Sequence, residues 1–191
     1  MPRRAAIISL YGCPLHRGHV EYVALARAFV GPEGALWVIL NSDAQAVAKR
    51  GFCAVEMADR RAVVGALRGV DRVIESIDED RTVCRTLAAA VAELRAHADD
   101  IYFLNSGDRS SGEVPEGAVC AELGVRMADL PAPKANSSSD MIRRILEHQH
   151  LVRCTVGSSC CCCSLPTRCK DQRVLVSPAG EPTKPHNAGV T

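Results

Sequence analysis

Short apolar runs alternate along the chain with segments whose apolar residues recur every three or four positions. The runs have the length of β-strands, and they cover residues 5–10, 35–40, 72–74, 101–104 and 124–130. The intervening segments are predicted to form helices: one from about residue 20 to 28, and others over 58–68, 82–98, 118–123 and 138–150.

This alternation of strand and helix predicts an α/β fold, with a parallel sheet covered by helices on both faces. Ligands of such sheets bind beyond the carboxyl ends of the strands, where the strand order reverses. Polar residues that directly follow a predicted strand are therefore the first candidates for a site. They lie in residues 11–19, 41–43 and 105–108.

The periodic pattern stops near residue 150, so we interpret 1–150 as one domain and 151–191 as a separate tail. Six of the ten cysteines crowd into residues 154–169, among Pro, Gly, Ser and Thr with no period. Such a segment has too little apolar content to offset its ordering entropy, so disorder is predicted. Metal binding, acylation and an unreliable end of the gene model are alternatives for this tail.

Charge and hydropathy exclude several classes of partner. The formal net charge is +1, so no global field favours nucleic acid or an anionic membrane. The longest apolar stretches fall far below the roughly 20 residues of a membrane span. The apolar run at residues 5–10 is short for a signal-peptide core, so a cytoplasmic location is expected.

His16 and His19 stand directly after the first predicted strand, at the start of the first predicted helix. Their spacing puts both imidazoles on one side of a helical turn, and Gly18 leaves room for a ligand to approach the backbone. The amides of a helix N-terminus suit phosphate. Alternatives are two ordinary surface histidines, a zinc site that includes Cys13, and a nucleophile–base pair of Cys13 and His16.

Residues 14–19, with the sequence Pro-Leu-His-Arg-Gly-His, resemble the HxGH signature of the cytidylyltransferase-like nucleotidyltransferases. Four more segments resemble that family in the same order, across roughly residues 5–148. They are Asn-Ser-Asp at 41–43 with the basic phosphate loop 49–51, the helix and strand at 59–74, the turn at 105–108, and the serine motif at 137–142. The heptose-phosphate adenylyltransferases and glycerol-phosphate cytidylyltransferases are the most similar members.

The resemblance implies a Rossmann-like enzyme that transfers CMP or AMP from CTP or ATP to a phosphorylated sugar, polyol or alcohol and releases pyrophosphate. It implies His16, His19 and Lys49 as catalytic residues, with Mg²⁺ bound to the phosphates and no resident metal. It implies that the nucleotide is bound by Tyr11, Gly12, Arg17, Gly18, Asp108, Ser137, Ser138 and Ser139. A homodimer is a further expectation, because dimers are common among such proteins.

The chain departs from the family pattern just before its histidine motif. Where the family has Gly-x-Phe-Asp, this chain has Leu-Tyr-Gly-Cys at residues 10–13, and Asn105 replaces a frequent basic residue. These departures keep a second hypothesis open: a nucleotide-binding module of the same fold without catalysis. A synthetase-like ATP domain is a third hypothesis, but the chain lacks its second, Lys-Met-Ser-Lys-Ser-like motif.

Overall fold

A computed structural model of the chain describes residues 3–106, 114–131 and 137–148. Strands and helices alternate along these residues, apart from two consecutive helices after the second strand. Their order is β1 (Arg4–Leu10), α1 (Arg17–Val30), β2 (Ala35–Leu40), α2 (Asp43–Arg50), α3 (Met57–Gly65), β3 (Arg72–Glu75), α4 (Cys84–Leu94), β4 (Asp100–Ser106), α5 (Glu116–Glu122), β5 (Arg126–Leu130) and α6 (Ser138–Glu147).

The five strands form one parallel sheet in the order β3-β2-β1-β4-β5. The chain starts in the centre, winds outward through β2 and β3, and then crosses back to β4 on the other side of β1. The strand order therefore reverses between β1 and β4, which is where such sheets bind ligands. The prediction of a parallel α/β sheet is confirmed.

The sheet is buried on both faces, because the side chains of each strand alternate between two apolar cores. On β1, Ala5 and Ile7 pack into the core beneath α4, while Ala6, Ile8 and Leu10 pack into the core beneath α1. Burying a side chain of the size of Ile7 contributes about 1.5–3 kcal/mol. These two cores explain why residues 5–10 and 35–40 are apolar with the single exception of Ser9.

Helix α2 is the element that the apolar pattern did not predict, because only Gln45 and Ala46 of its eight residues are buried. A capping box does mark its start: the Ser42 hydroxyl accepts the amide of Gln45 at 3.1 Å, and the Gln45 side chain accepts the amide of Ser42 at 2.8 Å. The other helices have boundaries that differ by a few residues from the predicted ones, as is usual for frayed helix ends.

The described elements up to Ile145 belong to one compact unit. None of the described helices is long and apolar enough to span a membrane. The predicted tail, residues 151–191, and its boundary after residue 150 lie outside the described residues.

Candidate active site

A cavity of about 600 Å³ opens at the carboxyl edge of the sheet, where β1, β2 and β4 end. Its walls are mainly polar, and they include Tyr11, Asn41, Lys49 and Asn105. Three of these residues directly follow strands or end them, which agrees with the location expected from the sequence. The cavity therefore occupies the position where the topology favours a ligand.

His16 and His19 build the first turn of α1 beside this edge. The Nδ1 of His16 accepts the amide of Gly18 at 3.1 Å, and the Nδ1 of His19 accepts the amide of His16 at 3.2 Å. The two imidazoles thus form a reciprocal cap of the helix, a role usually taken by Ser, Thr or Glu. Because an accepting nitrogen carries no proton, each neutral ring holds its proton on Nε2, as a donor.

The two rings lie against each other, with their centroids 3.9 Å apart and their planes inclined by 39°. Burial and the nearby Arg50 lower the pKa of His16. Burial, the neighbouring His16 and Arg50 lower the pKa of His19 to about 4. At neutral pH both side chains are therefore uncharged Nε2–H donors rather than imidazolium cations.

The positive charge of the site comes from the last turn of α2. The Nζ of Lys49 lies 4.0 Å from the centroid of the Tyr11 ring, and the guanidinium carbon of Arg50 lies 5.5 Å from it. The Nε and Nη1 of Arg50 are buried and have no hydrogen-bond partner among the described residues. Buried donors of this kind cost free energy unless a ligand satisfies them, so Arg50 is suited to an anion.

Residues 49–51 were expected from the sequence to form a basic loop, with Lys49 alone assigned to the site. The loop interpretation is wrong, because Lys49 and Arg50 are helical and the helix ends at Gly51, which has a φ of +84°. Arg50 was not predicted as a separate contributor. The available signal was a basic pair directly before a glycine, which is typical of a helix C-terminus.

A buried arginine from α3 holds the ends of β1 and β2 together. The Nη1 of Arg60 donates to the carbonyl oxygens of Tyr11 and Asn41, each at 2.7 Å, and Nη2 pairs with the carboxylate of Asp43. Desolvation alone would raise the pKa of Asp43, but hydrogen bonds from Arg60, the Met57 amide and the Cys53 thiol hold it below its usual value. Sequence analysis gave Arg60 no role at this edge.

Residues 13–16, which precede α1, are called the histidine loop here. Cys13 connects this loop to the segment after α2. Its Sγ accepts the amides of Ala54 and Val55 at 3.2 and 3.3 Å, and it lies 3.8 Å from the Sγ of Cys53. The nucleophile–base hypothesis placed Cys13 with His16, but the Nδ1 of His16 is occupied by the Gly18 amide. Cys13 therefore braces the loop through these backbone amides.

Gly12 has a φ of +56°, a conformation that other residues adopt at a cost. A Cβ at this position would lie 3.1 Å from the Cδ1 of Leu10. The turn that follows β1 thus favours glycine at this position.

The serine motif begins α6 and reaches the histidine loop. Ser137 caps the helix, since its Oγ accepts the amide of Asp140 at 3.0 Å. The buried Ser138 donates its hydroxyl to the carbonyl oxygen of Pro14 at 2.9 Å, and Ser139 is exposed on the same turn. The structure therefore brings the first and last predicted motifs of the site together through Ser138 and Pro14.

The remaining predicted site residues are placed less centrally. Arg17 is exposed and pairs with Glu21 at 2.6 Å, one turn along α1, while the amide of Gly18 is used by His16. Asp108 lies outside the described residues. Within the described part of the chain, no group of three His, Cys, Asp or Glu side chains could hold a metal ion.

Comparison with known proteins shows the fold. No family model matches the chain, and no curated protein does. A lipopolysaccharide core biosynthesis protein from Thermoplasma volcanium GSS1 superposes with a TM-score of 0.52 and 17% identity, over 70% of this chain and 99% of that one. A bifunctional NMN adenylyltransferase/ADP ribose pyrophosphatase from Francisella tularensis superposes with a TM-score of 0.52 and 13% identity, over 77% of this chain and 43% of that one.

At these identities the similarity establishes a Rossmann-like α/β fold, and the second match covers less than half of a two-function chain. This is the fold class that the sequence predicted.

Proposed function

We propose that this protein is a nucleotidyltransferase that transfers CMP or AMP from CTP or ATP to a phosphorylated small molecule and releases pyrophosphate. The observation that carries the proposal is the pair of neutral imidazoles at the start of α1, with Arg50 acting on the pKa of both. The similarity of fold to a chain that includes an NMN adenylyltransferase supports the class of reaction.

In the proposed reaction, a phosphate oxygen of the acceptor attacks the α-phosphorus of the nucleotide in line with the departing pyrophosphate. One P–O bond forms, the bond between the α-phosphorus and the bridging oxygen breaks, and pyrophosphate takes the electron pair. No covalent enzyme intermediate is needed. Catalysis then rests on positioning and on stabilisation of the charge that develops on the phosphoryl oxygens.

His16 and His19 would donate their Nε2–H groups to the phosphoryl oxygens of the α-phosphate. Because the Nδ1 atoms are held by backbone amides, both donors are oriented before the ligand arrives. Lys49 and Arg50 would supply the full positive charges, and the dipole of α1 would add a partial one at its N-terminus. Two uncharged donors beside two cations avoid crowding four positive charges into one site.

Mg²⁺ is proposed as a companion of the triphosphate. The described carboxylates and imidazoles do not gather into a metal site, so no residue is assigned to it. When bound, the ion would neutralise charge on the leaving pyrophosphate.

The first test is a thermal-shift series with the four ribonucleoside triphosphates, each with and without Mg²⁺. A triphosphate at about 100 times its dissociation constant stabilises the fold by about 2.7 kcal/mol, and we expect CTP or ATP to do so. Pyrophosphate release is then measured with a panel of sugar and polyol phosphates. Loss of one histidine donor is expected to lower turnover roughly 10²–10³-fold, as for a single oxyanion donor.

The matched control for His16→Ala and His19→Ala is His97→Ala, which changes an exposed histidine just after α4. Full turnover in both site variants would refute the site. A thermal shift without pyrophosphate release from any acceptor would instead support the nucleotide-binding module without catalysis. No shift with any triphosphate would refute nucleotide binding.

A further inference from the structure

Arg81 lines the same cavity as Lys49, on the connection between β3 and α4. Its guanidinium has no hydrogen bond or ion pair within the part of the chain that the structure describes. Arg17, Arg27 and Arg60, by contrast, each pair with a carboxylate. The proposed reaction at the histidine pair gives Arg81 no role.

The backbone on each side of Arg81 is fixed by one buried side chain. The Nε2 of Gln45 donates to the carbonyl oxygens of Asp80 and Thr82, at 2.6 and 2.7 Å, and Gln45 is only 1% exposed. Gln45 belongs to α2 and lies one turn before Lys49. The helix that carries Lys49 therefore also fixes the loop that carries Arg81. The positions of the two cations are therefore linked through a single rigid element.

Two carboxylates accept hydrogen bonds from backbone amides at the end of the connection between β3 and α4. The Oε1 of Glu116 accepts the amide of Val83 at 3.0 Å, and Asp78 accepts the amides of Arg85 and Thr86 at 2.7 and 3.0 Å. The loop around Arg81 is thus tied to α2, α4 and α5. A guanidinium presented from such a fixed backbone loses less conformational entropy when it binds an anion.

The charges of the cavity wall indicate what Arg81 would bind. Among the described lining residues, Lys49 and Arg81 are the two cations and Glu116 is the only carboxylate. The Glu116 carboxylate already accepts the Val83 amide. Asn41 and Asn105 also line the cavity, and their side-chain nitrogens donate to Gln45 and to Asp129. The proposed reaction places Lys49 on the nucleotide phosphates, so Arg81 is the cation of this wall that remains for a second anion.

We infer that Arg81 selects acceptors that carry a second anionic group, a carboxylate or a second phosphate, besides the phosphate that attacks the nucleotide. That this ligand is the acceptor rests on the proposed function. The planar guanidinium can bind either anion through two parallel hydrogen bonds, which also fixes the orientation of the acceptor.

The experiment measures binding by calorimetry, so that it does not depend on turnover. Two matched pairs of probes differ only in the second anion: glycerol 3-phosphate against 3-phosphoglycerate, and fructose 6-phosphate against fructose 1,6-bisphosphate. We expect the doubly anionic member of at least one pair to bind about tenfold more tightly to the full chain. The pair that shows the preference distinguishes carboxylate from phosphate.

Arg81→Gln should remove that preference and leave the affinity for the singly anionic probe within about twofold. Arg81→Lys should retain part of the preference for the doubly anionic probe, because the positive charge remains while the bidentate hydrogen bonding of the guanidinium is lost. The matched control is Arg85→Gln, an exposed arginine on α4 that does not line the cavity.

Equal affinity for both members of each pair in the unmodified protein would overturn the inference, and so would a preference that survives Arg81→Gln. A loss of triphosphate affinity in Arg81→Gln would instead place this side chain on the nucleotide and would also overturn it. Failure of the proposed function has a different signature, namely the absence of any triphosphate binding or pyrophosphate release by the unmodified protein.

Discussion

Arg60 donates a hydrogen bond of 2.7 Å to the carbonyl oxygen of Tyr11 from a side chain that is fully buried. The same guanidinium binds the carbonyl of Asn41 and the carboxylate of Asp43. One residue of α3 thus fixes the ends of two strands and the start of α2, the helix that carries Lys49 and Arg50. The cations of the candidate site are positioned through this contact.

Arg60→Met should lower the free energy of unfolding by about 3 kcal/mol, because it leaves buried carbonyl oxygens without donors and a carboxylate without its partner. Urea denaturation followed by circular dichroism measures the change. Arg61→Met, an exposed position on the same helix, is the matched control and should stay within about 0.5 kcal/mol. Equal midpoints for both variants would contradict the bracing role.

The stability of the protein should depend on pH through His19. Its pKa of about 4 in the folded protein lies below the usual histidine value of 6.5, chiefly because the ring is buried. Between these values the unfolded chain binds more protons, so stability rises with pH in this window. The contribution, on the order of 2–3 kcal/mol, is fully present above pH 6.5, decreases as pH falls and is lost below about 4.

This pH dependence is measured as the urea midpoint at pH 4.5, 5.5 and 7. His19→Gln removes the titrating group and should flatten the change across that range. His97→Gln, at an exposed histidine, should keep the slope of the unmodified protein. A slope in His19→Gln as steep as that of the unmodified protein would show that His19 does not titrate as its burial requires.

Burial is the main cause of the low pKa of both imidazoles, and Arg50 should add to it. Its charge lowers the pKa of His16 and of His19, whereas the charge of Lys49 acts on His19. Arg50→Met should therefore raise both pKa values in an NMR titration, and Lys49→Met should raise that of His19. An unchanged pKa of His16 in Arg50→Met would place Arg50 away from the pair.

The same Arg50→Met variant should fold at least as stably as the unmodified protein without ligand. The Nε and Nη1 of Arg50 are buried without partners among the described residues, so their removal relieves a desolvation cost. Triphosphate affinity should fall at the same time. Loss of stability together with unchanged affinity would indicate a structural role for Arg50.

Ser138 should contribute to stability through the histidine loop. Ser138→Ala removes the hydrogen bond to the Pro14 carbonyl and should lower the free energy of unfolding by about 1 kcal/mol. Ser139→Ala, exposed on the same turn, is the matched control and should change it by less than about 0.5 kcal/mol. If the two variants unfold at the same urea concentration, the hydrogen bond between Ser138 and the Pro14 carbonyl makes no net contribution to the free energy of unfolding.

Sequence pattern was sufficient for the parallel sheet, because strands buried on both faces are mostly apolar and contrast with the helical spacing between them. It was insufficient for α2, where only Gln45 and Ala46 are buried. A helix with so little buried surface leaves no apolar period, and only its capping box could have revealed it.

The two histidines of the candidate site could also be predicted from the sequence, since His16 and His19 closely follow the first strand. Their protonation state could not be predicted from it. It follows from burial and from Arg50, which stands 31 positions after His19 in the sequence.

The sequence by itself thus determined the alternation of the strands with every helix except α2, the edge of the sheet where a candidate site is expected and the two histidines, because these follow from local pattern and chain direction. Only the tertiary structure decided that Arg60 braces this edge, that the imidazoles are neutral, and that Gln45 holds the loop of Arg81. Those features depend on contacts between residues distant in the chain. Residue type alone does not encode such contacts, because each arises only when the two cores close around the sheet.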